Sequence, residues 1–590
     1  MSGLRSPLPA LDAAAAAVAY DEVRVSAGAV WWLESRPDEG GRVALMRLDA
    51  GGPAEEVTPA GADVGCDLHG YGGSAYAVAG ERIFYVDRRD GHIHVKDKHD
   101  VHVVLRRRSA DEFLGDLAAS ADRVWCIRET VSGDELIELL PDGRFQVMLA
   151  TEGFLGSPRP APGRLAWLRW DADRMPWDGC ELFLGARDAD GIGHVQRVAG
   201  GRDVSVTQPQ WDHQGRLWFI SDQSGWWNLY RHDGEEVTNV APIATDNAPP
   251  EWEAGYCTFV LTPQGGAIMI GLGGPRHELL VTGQNGTRRI ETGYTSFKPY
   301  LAVDSDQLYA IAASSTHASN VIRLNLGAST APEVITTAAD SYDGISLPEI
   351  VHCPTASGEA VTALVYPPWG ASADWCAPLV VRAHPGPTSS INSRLDWHVQ
   401  YLTSHGFAVA DVDYRGSSGY GRTFRRELYG RWGTVDVEDC IAVAGHLLSA
   451  GRTIPGRVFI TGASAGGYTA LQAVSQPSPF SGAVARSAII DPDRWRLTAP
   501  RWQRPHAGAL TGPAGTVSAE LIQQPVLLIH GSDDHVAPVS DVRQLGCGLE
   551  AKGLAHRLLI VDARHRMSAQ QAAARALEAE LAFYRELLDR

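Results

Sequence analysis

At 590 residues the chain exceeds what one hydrophobic core can serve, so two or more domains are expected. A formal net charge of −18 and a sequence pI near 5.5 argue against nucleic acid and anionic membrane surfaces as partners. Apolar (44%) and charged (21%) shares are those of an ordinary globular chain, and no apolar run reaches the roughly 18 residues of a membrane-spanning helix.

In chain order, Ala13 to Ala19 reads as a short helix. Asp12 precedes it, without a basic n-region or a cleavage site, so it is not read as a signal peptide and a cytoplasmic location is expected. Residues 1–21 are expected to pack as an N-terminal helix on the catalytic domain. Seven apolar runs then begin at Val30, Ile83, Val124, Leu165, Leu217, Ala267 and Leu308, spaced 53, 41, 41, 52, 50 and 41 residues apart. Each is read as the first strand of a unit with further short strands. Such a period marks propeller blades, so residues 22–340 are expected to form a seven-bladed β-propeller.

Ser341 to Ile350 reads as the crossover into a second domain, 341–590. Here strands at 379–381, 407–410, 458–460, 526–529 and 558–561 alternate with helices at about 393–405, 435–450 and 569–588. The pattern predicts an α/β-hydrolase domain with a doubly wound, mostly parallel sheet.

Gly462-Ala463-Ser464-Ala465-Gly466 lies between the apolar run Val458 to Ile460 and a helix-forming run from Tyr468. Strand, tight small-residue turn and helix form a nucleophile elbow that lifts Ser464 above the sheet. Downstream strands end in Asp533-Asp534 and in His565, giving the chain order Ser, Asp, His that such a site needs. His565 is the expected base; Asp533 and Asp534 compete to orient it, with Asp533 favoured and Asp534 alternatively a surface or turn-capping carboxylate. The N–H of Ala465 is one expected oxyanion donor. The second is Gly386 in His384-Pro385-Gly386-Pro387, because the prolines carry no N–H; the His384 side chain is the alternative.

These residues carry a resemblance. The elbow, Trp170 to Gly179, Ser221 to Arg231, Asp413 to Gly421 and Arg431 to Asp439 resemble the prolyl oligopeptidase family of serine peptidases, in its dipeptidyl-aminopeptidase and acylaminoacyl-peptidase branch. The resemblance implies a propeller that caps the hydrolase domain and admits short peptides or peptide-like amides. It also implies Asp533 as the triad acid and Gly386 as the oxyanion donor. The chain departs from the family pattern at Pro385, at Arg566-Met567 after the histidine, at His69 to Gly73, which lacks an acid, and in a shortened 491–524. These segments bear on substrate choice, so an amidase, esterase or acyl transferase acting on a peptide-like metabolite is the rival reading. A non-catalytic propeller scaffold is more remote.

No cofactor or metal is expected. The eight cysteines are scattered singly and read as reduced thiols, and the histidines 92, 94, 99 and 102 read as an exposed hairpin. Arg106 to Arg108 reads as a solvated edge, and Trp226-Trp227 as packing between blades. No nucleic-acid or membrane partner is expected, and a homo-oligomer is left open.

Overall fold

The structure is a computed structural model. It describes residues 6–590 except 99, 121–122, 141–142, 188–190, 264, 284–285, 329–330, 337–344, 356–357 and 359. His99 and the expected boundary at 340/341 therefore lie outside the described residues.

Seven four-stranded antiparallel sheets, from Tyr20–Ser26 to Glu333–Val334, each built from consecutive strands, form the blades of a propeller. The seven apolar runs are real strands, but each is the second of its blade and not the first. The physical reason is burial: the second strand is paired on both sides and sandwiched between neighbouring blades, so its sequence is the most continuously apolar. The innermost strands are disguised by polar bulges. Glu22, Asp116, Ser157 and Gln208 all adopt φ near +50° there, a conformation that disfavours side chains. Their polar groups staple neighbouring blades. Glu22 accepts from Ala75 N–H at 3.2 Å, Asp116 from Ser157 N–H at 2.5 Å and Gln208 Oε1 from Thr258 N–H at 2.6 Å.

The last blade closes on the first without exchanging a strand. Tyr20, Val23 and Trp32 pack against Tyr300, Tyr309 and Ile311, and Lys298 Nζ donates to Asp21 at 2.5 Å. Tyr20 and Asp21 thus belong to the first blade strand and are the last two residues of the expected N-terminal segment. The helix Ala10–Ala15 packs on the helices Trp397–Ser404 and Gln570–Leu588.

The catalytic sheet comprises β1 (Glu349–Pro354), β2 (Ala360–Tyr366), β3 (Leu379–Ala383), β4 (Ala408–Asp413), β5 (Val458–Ala463), β6 (Ala483–Arg486), β7 (Val526–Gly531) and β8 (His556–Val561). Its order is β1-β2-β4-β3-β5-β6-β7-β8, with β1 and β2 antiparallel and all pairings from β4 onward parallel. The strands β3 to β7 are mostly buried hydrophobics, as a sheet covered on both faces requires.

The domains join through a buried ion cluster. Asp222 of the fifth blade accepts from Arg422 Nε at 2.8 Å and from Arg425 Nη2 at 2.9 Å, and the Arg425 guanidinium lies 4.1 Å over Trp227. Asp178 accepts from the Tyr429 hydroxyl at 2.7 Å. Trp227 is therefore a packing residue of the joint. Removing one partner of a buried pair leaves uncompensated charge. Asp222→Ala is expected to cost about 3–5 kcal/mol, read as a lowered urea midpoint of the full chain; an unchanged midpoint would contradict this account of the joint.

Candidate active site

β5 ends at Ala463, and the helix Ala465–Ala473 starts one residue past Ser464. Ser464 sits between them at φ 51°, ψ −116°, a strained conformation held by its surroundings. A Cβ on Gly462 would run into the Gly466 carbonyl, one on Gly466 into the Ala383 carbonyl, and one on Gly467 would come 2.7 Å from Ala488 Cβ. Glycine at these positions lets strand, helix and neighbouring strand β3 touch backbone to backbone. Ser464 N–H donates to Arg486 O at 2.8 Å, which fixes the turn to β6.

His565 follows β8 and reaches Ser464: its Nε2 is 3.0 Å from Oγ. Its Nδ1 lies 2.8 and 3.0 Å from the two carboxylate oxygens of Asp534. A carboxylate only accepts, so the ring proton sits on Nδ1 and Nε2 is free to accept from the serine hydroxyl. The acid on the imidazole is thus Asp534 and not the expected Asp533. Asp534 has a fully buried side chain and also accepts from Val536 and Ala537 N–H, both at 2.9 Å. The Asp533 side chain is 58% exposed and lies against His535 and Arg564. The turn after β7 is pressed onto the histidine loop, since a Cβ on Gly531 would meet the carbonyls of Ala563 and Arg564. That contact turns the second acid inward and the first outward. Burial alone would push the Asp534 carboxyl up, but the hydrogen bond and charge of His565 and the Ala537 N–H more than offset it, holding it below the usual carboxylate range.

The expected oxyanion donors are adjacent but do not converge. Ala465 N–H donates to the Pro385 carbonyl at 3.2 Å. His384 is turned inward. Its Nδ1 donates to Gly386 O at 2.7 Å and its Nε2 lies 2.8 Å from Ser417 Oγ, while burial pushes its pKa down to about 3. A neutral ring with both nitrogens engaged has nothing left for substrate, which removes the His384 alternative.

Sequence reasoning missed the residues that the propeller brings to this place. Trp252 donates from Nε1 to Thr388 O at 2.8 Å and sits beside Gly386. Its neighbour Glu253 accepts from Arg566 at 2.7 Å, one residue past His565, and the Arg566 guanidinium lies 5.8 Å over Tyr71. Tyr71, Trp177, Trp252, Trp502 and His506 form a continuous aromatic cluster, with ring centroids 4.7 to 6.2 Å apart. The segment 500–506 thus enters the propeller, where Arg501 pairs with Asp134. Isolated tryptophans and acids in blade loops carry no pattern that could have marked them.

Among the described residues no group of three or more His, Cys, Asp or Glu is placed to hold a metal, and no helix is long and apolar enough to cross a membrane. His94 stacks on Tyr85 and lies 3.0 Å from Asp90. No disulfide joins the cysteines; Cys376 and Cys547 are exposed.

A propeller set over an α/β-hydrolase sheet, with serine, histidine and carboxylate in hydrogen-bonded series at the sheet's carboxyl edge, defines a propeller-capped serine hydrolase. Comparison with known proteins narrows the class. Residues 393–590 match the prolyl oligopeptidase family. The chain is 29% identical to the puromycin-hydrolyzing peptidase of Mycobacterium tuberculosis, with a TM-score of 0.94 over 99% of this chain and 97% of that one. It is 28% identical over 206 residues to the acylamino-acid-releasing enzyme of Arabidopsis thaliana, covering 31% of this chain and 27% of the relative. It is 27% identical over 202 residues to dipeptidyl aminopeptidase BIII of Pseudoxanthomonas mexicana, covering 31% and 29%. The matched region thus spans less than a third of the length of these two curated relatives. The catalytic domain thus resembles the prolyl oligopeptidase family of serine peptidases, and the whole chain shares its architecture with a peptidase of 29% identity.

The geometry assigns different weights to the adjacent acids. Asp534→Asn is expected to lower kcat by about 10⁴-fold, because the amide cannot hold the Nδ1–H tautomer. Asp533→Asn should change it by less than about fivefold, as for an exposed pair. Steady-state kinetics on a chromogenic amide decide; the reverse order would restore Asp533.

Proposed function

We propose that the chain hydrolyses short peptides and aminoacyl amides bearing a free N-terminal amine, through an acyl-enzyme on Ser464. The observation that carries the reaction type is the series Ser464–His565–Asp534, with separations of 3.0 and 2.8 Å. Ser464 Oγ would attack the scissile carbonyl while His565 Nε2 takes its proton. His565 would then give that proton to the leaving amine as the C–N bond breaks. Water, deprotonated by the same nitrogen, would release the acid and restore the serine. Asp534 holds the ring and offsets the imidazolium charge.

The free amine is supported by the carboxylate that the propeller adds. Glu253 stands next to Trp252, which touches the Gly386 loop, and pairs with Arg566, next to His565. An ammonium group can take the place of the Arg566 guanidinium on this carboxylate. The whole-chain likeness to a puromycin-hydrolyzing peptidase supports a peptidase that takes small substrates. The propeller would limit substrates by size, and the aromatic cluster supplies an apolar wall.

A fluorophosphonate probe is expected to label the wild type and not Ser464→Ala; an unlabelled wild type defeats the serine-hydrolase reading. Among labelled enzyme, chromogenic amides with free amines should be cleaved in preference to their N-acylated counterparts. Glu253→Gln should lower kcat/KM for the free-amine set by about 10- to 100-fold, as for loss of a charged hydrogen bond, and spare the acylated set. Preference for acylated amides would assign an acylaminoacyl-peptidase activity instead. Labelling without amide cleavage would favour an esterase or acyl transferase.

A further inference from the structure

We infer that the oxyanion site is assembled by rotation of one peptide unit, Pro385–Gly386, and that the structure holds its resting arrangement; this rests on Ser464 being the nucleophile proposed above. An oxyanion needs two N–H donors aimed at one point. The Ala465 N–H at the head of the nucleophile helix is one, and it is engaged by the Pro385 carbonyl at 3.2 Å. In a planar trans peptide the carbonyl and the following N–H point to opposite sides. Among the described residues no peptide bond is cis. The Gly386 N–H therefore points away from Ala465, and the Pro385 oxygen occupies the place a substrate oxygen would take.

The unit can turn alone. On its far side the Gly386 carbonyl is anchored, accepting from His384 Nδ1 at 2.7 Å and from the Tyr414 hydroxyl at 3.3 Å. Two residues on, Thr388 O is fixed to the propeller by Trp252. On its near side Ala383 is pressed against Gly466. A turn about the line joining the two Cα atoms changes only ψ of Pro385 and φ of Gly386. Proline fixes its own φ but leaves ψ free. The φ of Gly386 lies outside the left-handed range, and a half-turn takes it to the positive side, which glycine enters without steric cost. A polar cavity of ≈ 260 Å³ borders His384 and Pro385 and leaves the loop room to move. It is lined also by Arg486, whose buried Nε has no hydrogen-bond partner among the described residues.

Substrate binding then exchanges partners. The scissile carbonyl oxygen displaces Pro385 O from the Ala465 N–H, and the turned Gly386 N–H supplies the second bond. Without substrate the second donor is withdrawn.

Crystal structures of the wild type, unliganded and after reaction with an aminoacyl diphenyl phosphonate, test this. The unliganded protein should keep Pro385 O on Ala465 N–H. In the adduct, Ala465 N and Gly386 N should both lie about 2.9 Å from the phosphonyl oxygen, with Pro385 O turned away and the Gly386 carbonyl still on His384. An unliganded structure with both N–H groups already converging overturns the inference. So does an adduct on Ser464 in which the Pro385–Gly386 unit has not turned, and in that case the nucleophile assignment stands. Absence of any adduct on Ser464 removes the nucleophile assignment, and the inference with it.

Discussion

The backbone contact between β3, β5 and the nucleophile helix governs the rest of the site. Gly462 faces the Gly466 carbonyl and Gly466 faces the Ala383 carbonyl, with no room for a Cβ at either. Three segments that would ordinarily stand a side chain apart are thereby brought into contact. One consequence is the strained Ser464, held at φ 51° with its hydroxyl on His565. Another is the position of the loop leaving β3. Because Ala383 is pressed on Gly466, the next residues pass directly over the helix start, and Pro385 O meets Ala465 N–H. Nucleophile and oxyanion loop are thus placed by one contact, and what remains adjustable is a single peptide.

A second constraint sets the propeller against this edge. The sequence segments that resemble the family are far apart in the chain, yet several meet at the joint. Leaving the elbow aside, Trp177 and Asp178 come from the first, 170–179, Asp222 and Trp227 from the second, 221–231, and Gly421 from the third, 413–421, bonded to Asp246. The fourth supplies Asp439, which holds Arg415 of the third with 2.7 to 3.1 Å bonds. Buried ion pairs of this kind add little net stability over apolar packing, but they tolerate only one geometry. That geometry fixes Trp252 and Glu253 over a hydrolase loop that neither domain could position alone.

The elements legible in the sequence were those whose residues answer to local period. The blade repeat was readable from second strands because burial on both faces makes them uniformly apolar, as in Leu217 to Ser221. Innermost strands were not, since Glu22, Asp116 and Gln208 place polar groups at bulges whose partners lie in the next blade. At the site, Ser464 and His565 were readable because strand ends and small-residue turns announce them. Asp533 and Asp534 have the same chemistry and differ only in which way a turn faces. That direction is set by Gly531 lying on Ala563 and Arg564, on the loop after the next strand. Trp252, Glu253 and the 500–506 segment were illegible for the same reason: their role comes entirely from the other domain.

Charge is set by the partners each buried carboxylate meets. In the hydrolase domain burial would push Glu580 up, but Arg486, His398 and Tyr584 hold it well below the carboxylate range, and Asp534 is likewise held low by His565. Carboxylates held low stabilise the fold above their unfolded pKa, and that stabilisation is lost as pH falls through the native value. Glu22 and Glu251 of the propeller are shifted the opposite way. Burial pushes Glu22 and Glu251 up to about 7, with Arg24 only partly opposing it at Glu22 and Thr207 at Glu251. The native state then binds more protons than the unfolded chain, so ionising these groups works against the fold as pH rises from about 4.5 through 7. Both signs occur in each domain, since burial also pushes the hydrolase carboxyl of Asp413 up to about 7, and in the propeller burial of the Asp212 carboxyl is more than offset by the bonds from Trp218 and Arg216, which hold it low.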